Sequence, residues 1–391
     1  MSDKRFTCNW NYPTAMHVGA GRVAELPNLC REMGMATPLL VTDPGLAALP
    51  VMQRVVENCL TAGIPTTVFS EIKGNPTGKN VHDGVTTFRA HGCDGVIAFG
   101  GGSALDAGKA IALMVGQTHP IWDFEDVGEN YLRVNVAGMV PVIAVPTTAG
   151  TGSEVGRSSV ITDEQAKLKK IIFHPRMLPE LVLLDPELTV GLPPHITAAT
   201  GMDALSHNLE AWCAPNFHPM AEGIALEAMR LISVNLPKAF ADGSDLDARM
   251  QMLVASSMGA TAFQRGLGAI HALAHPLGAL FDAHHGLLNA ILMPYVLKAN
   301  EKAIQEKMHR LGRYLDLPLE GFGGVLEWVL ELRTELGIPH SLAEIGIDIE
   351  MAELVGQLAA ADPTAASNPV PLTAQDYQAL FIRACSGALS E

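Results

Sequence analysis

Gly95-Val96-Ile97-Ala98-Phe99-Gly100-Gly101-Gly102-Ser103 runs from a short apolar segment directly into three glycines, and Ala104 to Met114 follows with helical spacing. The first five residues read as a buried strand. Glycines at a strand-to-helix turn let backbone N–H groups approach a phosphate, and the helix N-terminus adds a favourable dipole. The pattern is neither GxGxxG nor the Walker type. A plain tight turn also explains a glycine run, so the weight of this reading rests on what surrounds it.

Working outward, Thr37 to Thr42 reads as a further buried strand, and Pro65 to Phe69, Val140 to Val145 and Leu181 to Leu184 read as strands. Leu46 to Ala62 and Lys79 to His91 carry helix-like spacing. Strands alternating with helices imply βαβ units and a parallel sheet. After Leu188 the texture changes to Ala-, Leu- and Met-rich segments of helical period, with a natural hinge at Leu192-Pro193-Pro194. The expected fold is therefore α/β followed by all-α. An α/β domain over 1–187 precedes a helical domain over 188–391.

Neighbours of the glycine turn strengthen the phosphate reading. Asp106 sits one turn into the following helix, placed to cap it or orient a ligand hydroxyl. Thr147, Thr148, Thr151, Gly152 and Ser153 offer hydroxyls and open backbone after a later strand. Asp43, ending the first of these strands, stands where an acidic residue commonly takes the adenosine ribose. A carboxylate there favours NAD over NADP; alternatively, Asp43 only begins a turn with Pro44.

The bulk numbers exclude several classes. The 391 residues carry 26 basic and 41 acidic side chains, a formal net charge of −15. That balance opposes nucleic acid and anionic membrane surfaces, and no basic stripe overrides it. The six cysteines are scattered, with no CxxC pair, as expected of reduced cytosolic thiols. Met1 to Met16 lacks a basic and then apolar signal pattern, and the longest apolar run, Leu287 to Leu297, is cut by Asn289 and Pro294. A cytoplasmic protein is the expectation.

The second half holds the sharper signal. Asp203 and His207 are four apart in GMDALSHNLEAW and project from one helix face. His271 and His275 repeat the spacing in GAIHALAHPLG, and His284-His285-Gly286 follows an expected turn at Asp282. One carboxylate with several imidazoles suits a divalent first-row ion, Fe²⁺ or Zn²⁺, whereas isolated Cys213 rules out a thiolate-rich zinc site. A phosphate turn in one half and a metal site in the other suggest a Lewis acid acting on an alcohol oxygen and hydride passing to a nicotinamide.

GGGSALD, VPTTAGTGSE, GMDALSHNLEAW and GAIHALAHPLGALFDAHHGLLNA resemble the motifs of the iron-containing (group III) alcohol dehydrogenase family. The resemblance extends from YPTAMHVGAGR to SNPVPLTAQDY and implies that the domain over 1–187 is Rossmann-like and dinucleotide-binding, and that the helical domain over 188–391 binds the metal. It implies NAD and a divalent metal, Fe²⁺ ahead of Zn²⁺, held by Asp203, His207, His271 and His285. His275 then handles the proton. It implies cofactor contacts at Asp43, Asn75, Gly101, Gly102, Ser103, Asp106, Thr147, Thr148 and Lys169, with Lys167 and Lys170 close enough to replace the last. The implied partners are a small alcohol or aldehyde and further copies of the chain in a homo-oligomer.

Two departures from the family pattern stand out. His284 occupies a place where many members have proline, and Phe263-Gln264-Arg265-Gly266 puts bulky polar residues ahead of the second metal helix, raising the question of substrate size. The competing expectations are a dehydroquinate-synthase-like lyase, a metal-independent hydroxyacid-oxoacid transhydrogenase and a non-catalytic scaffold.

Overall fold

A computed structural model describes residues 14–166 and 168–389. The N-terminal stretch read above for a signal pattern therefore lies outside the described residues up to Pro13, as does Lys167. The chain divides into two compact units at Gly191–Leu192, a few residues beyond the expected boundary at 187.

The first unit carries β1 (Ala15–Val18), α1 (Leu26–Glu32), β2 (Leu39–Val41), α2 (Pro44–Ala47), α3 (Pro50–Thr61), β3 (Thr67–Phe69), α4 (Gly78–Ala90), β4 (Val96–Gly100), α5 (Gly102–Met114) and β5 (Val142–Pro146). A hairpin of β6 (Ser158–Asp163) and β7 (Leu168–Phe173) precedes β8 (Leu181–Leu184). Six strands form one sheet in the order β1-β8-β5-β4-β2-β3, and every pairing is parallel. Strands β2, β4, β5 and β8 are buried at every residue, as a sheet covered on both faces requires.

The chain leaves β2 outward to β3, then returns past β2 to β4. Right-handed crossovers put the connecting helices of these two moves on opposite faces; α3 packs on α1, and α4 on α5. The reversal makes the carboxyl ends of β2 and β4 the topological switch point, where open α/β sheets bind ligands. Asp43 and Gly101 stand just beyond those ends.

Two local expectations need correction. The single helix read over Leu46 to Ala62 is broken into α2 and α3 at Leu49, which is extended (φ −82, ψ 148) because Pro50 follows it. The hairpin β6–β7 and the edge strand β1 were not expected at all.

The second unit is built from α6 (Pro194–Cys213), α7 (Pro219–Ala241), α8 (Leu246–Ala262), α9 (Ala269–Phe281), α10 (His285–Tyr314), α11 (Gly321–Glu335), α12 (Ala352–Ala361) and α13 (Ala374–Ser386), with short 3₁₀ turns between some of them. No strand follows β8 among the described residues. Helix α6 is buried along most of its length against α7, α8 and α10, and α9 packs on α10 and α12. A helix enclosed on all sides is ordinarily apolar, yet α6 buries Asp203, Ser206, His207, Asn208 and Glu210. Ser206 and Asn208 donate to backbone carbonyls and Glu210 accepts from a backbone N–H; Asp203 and His207 are left to other side chains or a ligand. No helix is long and apolar enough to cross a membrane among the described residues.

Candidate cofactor turn and metal centre

The glycine turn is shaped by close approach. Gly100 has φ +147, a conformation L side chains avoid, and its carbonyl accepts from the Thr147 N–H at 3.0 Å. A Cβ on Gly102 would lie 2.4 Å from Thr151 Oγ1, so the loop after β5 lies directly against the start of α5. Gly101 is the N-cap of α5 and supplies no side-chain cap, which leaves the first N–H groups of the helix without an intrahelical acceptor. Such an end is suited to an anion. Thr147 is buried, while Thr148 is half-buried beside Gly101. The Ser103 hydroxyl donates to the Gly74 carbonyl at 2.6 Å, tying the turn to the segment that holds Asn75.

Asp43 begins the turn with Pro44 and also lies beside the glycine turn. Its Oδ1 accepts from the Leu46 N–H at 2.9 Å and caps α2 with Pro44 in the first turn, and Oδ2 lies 3.7 Å from where a Gly100 Cβ would stand. Asp106 has both oxygens taken by protein: Oδ1 accepts from the Ser153 hydroxyl and Oδ2 from the Val160 N–H at 2.9 Å. Beside it, buried Lys109 donates to the Ser153 carbonyl at 2.9 Å and to those of Gly156 and Ser158. Burial pulls the Lys109 ammonium below its ordinary range, against the pull of Asp106. This pair fixes the loop that faces the glycines. In the hairpin, Lys170 is engaged by Asp163 at 3.1 Å and lies over the Trp122 ring; strand alternation puts Lys169 on the opposite face.

In the second unit, α6 and α9 bring Asp203, His207 and His271 together. One ligand atom from each lies within 4.8 Å of the others, and all three residues are buried. His285, the first residue of α10, joins them with Nε2 3.8 Å from Asp203 Oδ1. The His207 and His271 rings stack at 4.7 Å, and His275 stacks on His285 at 5.5 Å. One buried carboxylate and two buried imidazoles, with half-buried His285 beside them, fit a divalent first-row ion.

The sequence reading missed the groups that orient these ligands. Glu210 Oε2 lies 2.6 Å from His271 Nδ1, and its Oε1 accepts from the Ile270 N–H at 2.7 Å. In its ionised form the carboxylate takes the Nδ1 proton and leaves the Nε2 lone pair for a metal. Burial pushes the Glu210 carboxyl up to about 7, and burial also holds the His271 imidazole well below its ordinary value. The Asn289 amide donates to Asp203 Oδ1 at 2.7 Å and lies 3.2 Å from Nε2 of both His271 and His285. His275 Nδ1 lies 2.8 Å from Asp362 Oδ2. A signal existed for two of the three: Glu210 is seven residues after Asp203 on the same helix face, and Asn289 is four after His285. Asp362 is distant in sequence and gave none.

Both departures find a structural role. His284 is the N-cap of α10, accepting from the Leu287 N–H. Arg265 is buried and donates to the carbonyls of Ala211, Trp212 and Asn216 at the end of α6, with Glu222 at 2.7 Å. It caps a helix and carries no sign of a substrate group. Phe263 is the member of that segment at the site, its ring 5.3 Å from His207.

The profile of iron-containing alcohol dehydrogenase matches residues 13–186, and that of the Fe-containing alcohol dehydrogenase family, C-terminal, matches residues 197–385. A 4-hydroxybutyrate dehydrogenase of Cupriavidus necator is 39% identical over 95% of this chain and 98% of its own length. An NAD-dependent methanol dehydrogenase of Bacillus methanolicus is 35% identical over 94% and 97%. A crystal structure of 1,3-propanediol oxidoreductase superposes with a TM-score of 0.91 at 33% identity, covering 97% of this chain and all of the other. The chain belongs to the iron-containing alcohol dehydrogenase family. It is accordingly an alcohol dehydrogenase, an oxidoreductase exchanging hydride between NAD and a small alcohol, and the lyase and transhydrogenase alternatives are not favoured.

Proposed function

We propose that the enzyme interconverts a short terminal diol or ω-hydroxy acid and its aldehyde, with Fe²⁺ held by Asp203, His207, His271 and His285. The observation that carries this reading is the buried convergence of Asp203, His207 and His271 on one point. A relative whose name specifies 4-hydroxybutyrate and a structure named for 1,3-propanediol support the substrate class. A bound divalent ion supplies Lewis-acid polarisation of the alcohol oxygen, lowering its pKa toward neutrality.

The protein's own residues do the rest. Glu210 and Asn289 orient His271 and Asp203, so the donor atoms are aimed before the substrate arrives. The α5 N-terminus at Gly101, Gly102 and Ser103 receives the NAD pyrophosphate, and the loop of Thr147 and Thr148 closes against it. Asp43 accepts from the adenosine ribose hydroxyls and repels a 2′-phosphate. Asn75 and Lys169 complete the cofactor contacts, and Asp106 contributes by holding the loop. His275 accepts the alcohol proton.

The test is NADH formation by metal-stripped protein given NAD and a panel of C2–C5 alcohols, diols and hydroxy acids, before and after Fe²⁺. Activity that returns only with metal, strongest for a diol or hydroxy acid, is the expected result. Activity undiminished by stripping would overturn the metal mechanism, and a preference for simple alkanols would overturn the substrate class.

A further inference from the structure

Asp362 is held from several sides at once. Oδ2 meets His275 Nδ1 at 2.8 Å, with both side chains largely buried. Oδ1 accepts from the Thr364 N–H at 2.9 Å and from its hydroxyl at 2.6 Å. The turn that follows is fastened in turn: Asn368 Oδ1 accepts from the Ala269 N–H at 3.1 Å, and Asn368 exchanges amide hydrogen bonds with Asn300 at 2.9 and 2.8 Å. Ala269 opens the helix that carries His275. The carboxylate and the imidazole it faces are thus referenced to the same helix, at its first turn and again one to two turns later.

Two acid–imidazole pairs stand in this cluster, and they serve different rings. Glu210 addresses His271, a member of the buried donor set. Asp362 addresses His275, which lies outside that set and stacks on His285. We propose that Asp362 is a positioning residue for proton transfer, its carboxylate accepting from His275 Nδ1 so that Nε2 is the ring nitrogen turned to the alcohol. The proposal rests on the dehydrogenase reading above, with His275 as proton acceptor. In the step, the alcohol O–H bond breaks and its proton bonds to His275 Nε2. The electron pair left on oxygen forms the carbonyl as the carbinol hydride reduces NAD⁺. Asp362 balances the imidazolium until the proton passes to solvent.

Asp362→Asn tests this through the geometry of the amide. The two Thr364 donors pin the amide oxygen, so the amide nitrogen must face His275 Nδ1. A donor there forces Nδ1 to accept and moves the ring proton to Nε2, where it blocks uptake of another; the same substitution logic applies to the serine-protease triad. Turnover is expected to fall about 10²- to 10⁴-fold, the range of general-base catalysis. Metal content and NADH affinity should stay at wild-type levels. Nitrogen-15 spectra of histidine-labelled, metal-free protein should show the switch of tautomer at His275.

Thr364→Val, which keeps the carboxylate and removes only the hydroxyl donor, should lose turnover by a smaller factor with metal content unchanged. Full turnover in Asp362→Asn, or metal lost in proportion to activity, would overturn the proposal. If Asp362→Asn does not fold, wild-type turnover and an unchanged His275 signal in Thr364→Val would overturn it as well. A wild-type protein inactive on every alcohol, yet with an Asp362-dependent tautomer, would remove the dehydrogenase reading and leave the pairing standing.

Discussion

Replacing Glu210 by Gln changes no volume and one charge, and the structure assigns it opposite effects with and without metal. Oε1 accepts from the Ile270 N–H and Oε2 faces His271 Nδ1. In the variant the backbone donor selects the amide oxygen, leaving the amide nitrogen against Nδ1. The His271 proton is then driven to Nε2, the atom a metal needs. Loss of an outer partner of this kind costs about 10- to 100-fold in metal affinity, or about 1.4 to 2.8 kcal/mol.

Without metal the sign reverses. Burial raises the folded-state pKa of Glu210 from 4.5 to about 7. A raised carboxyl favours the folded state below its unfolded value, and that advantage is lost as pH climbs through the folded value. The wild-type metal-free protein should therefore lose up to about 3 kcal/mol of stability between pH 4.5 and 7 through this group, and nothing further above it. Gln removes that slope. Chelator competition for Fe²⁺ and urea melts of stripped protein across pH measure the two effects. Metal affinity within about twofold of wild type, against the range expected for an outer partner, would refute the tautomer argument. An unchanged pH slope in the stripped variant would refute the assignment of that slope to Glu210.

Three further outcomes follow from the first unit and its turn. Lys109→Met leaves the Ser153, Gly156 and Ser158 carbonyls and Asp106 without their cation, and should destabilise by about 3–5 kcal/mol in denaturant melts; a loss below about 1 kcal/mol, the size of an ordinary surface change, would contradict the role given to that pair. Gly102→Ala drives a methyl into Thr151 and should raise the KM for NAD, with little effect on metal content measured on the same sample. Asp43→Gly should shift the ratio of NADP to NAD use upward in steady-state assays, and the loss of its cap on α2 should cost only a few tenths of a kcal/mol; an unchanged cofactor ratio would argue that the cap is its whole function.

Much of the sheet was legible because its central strands are buried on both faces and so read as apolar runs: Ile97 to Phe99, Ile143 to Val145 and Leu181 to Leu184 are recognisable without a partner strand. The hairpin was missed for the opposite reason. Ser158 to Asp163 alternates half-buried and buried residues along a polar-looking string, and no Asn-Gly or Asp-Gly marks its turn. Strand β1 is four residues at a sheet edge with half-exposed side chains, too short and too mixed to carry a period. At the metal centre the donor residues were visible because i, i+4 spacing is local. The hydrogen bonds that orient them, Glu210 to His271 and Asn289 to Asp203, are set by helix packing across 61 and 86 residues; spacing along one helix can suggest those residues but not the partners they meet.

The amide of Asn289 has a consequence for the order of events in the life of the chain. It already donates to Asp203 and lies within 3.2 Å of two imidazole nitrogens, with Glu210 holding a third side of the cluster. Zinc fingers are unfolded until their ion arrives; here the donors are gathered by three packed helices and a neutral side chain instead. A site gathered in this way is expected to take up its ion after the helices have packed, without needing it as a folding nucleus.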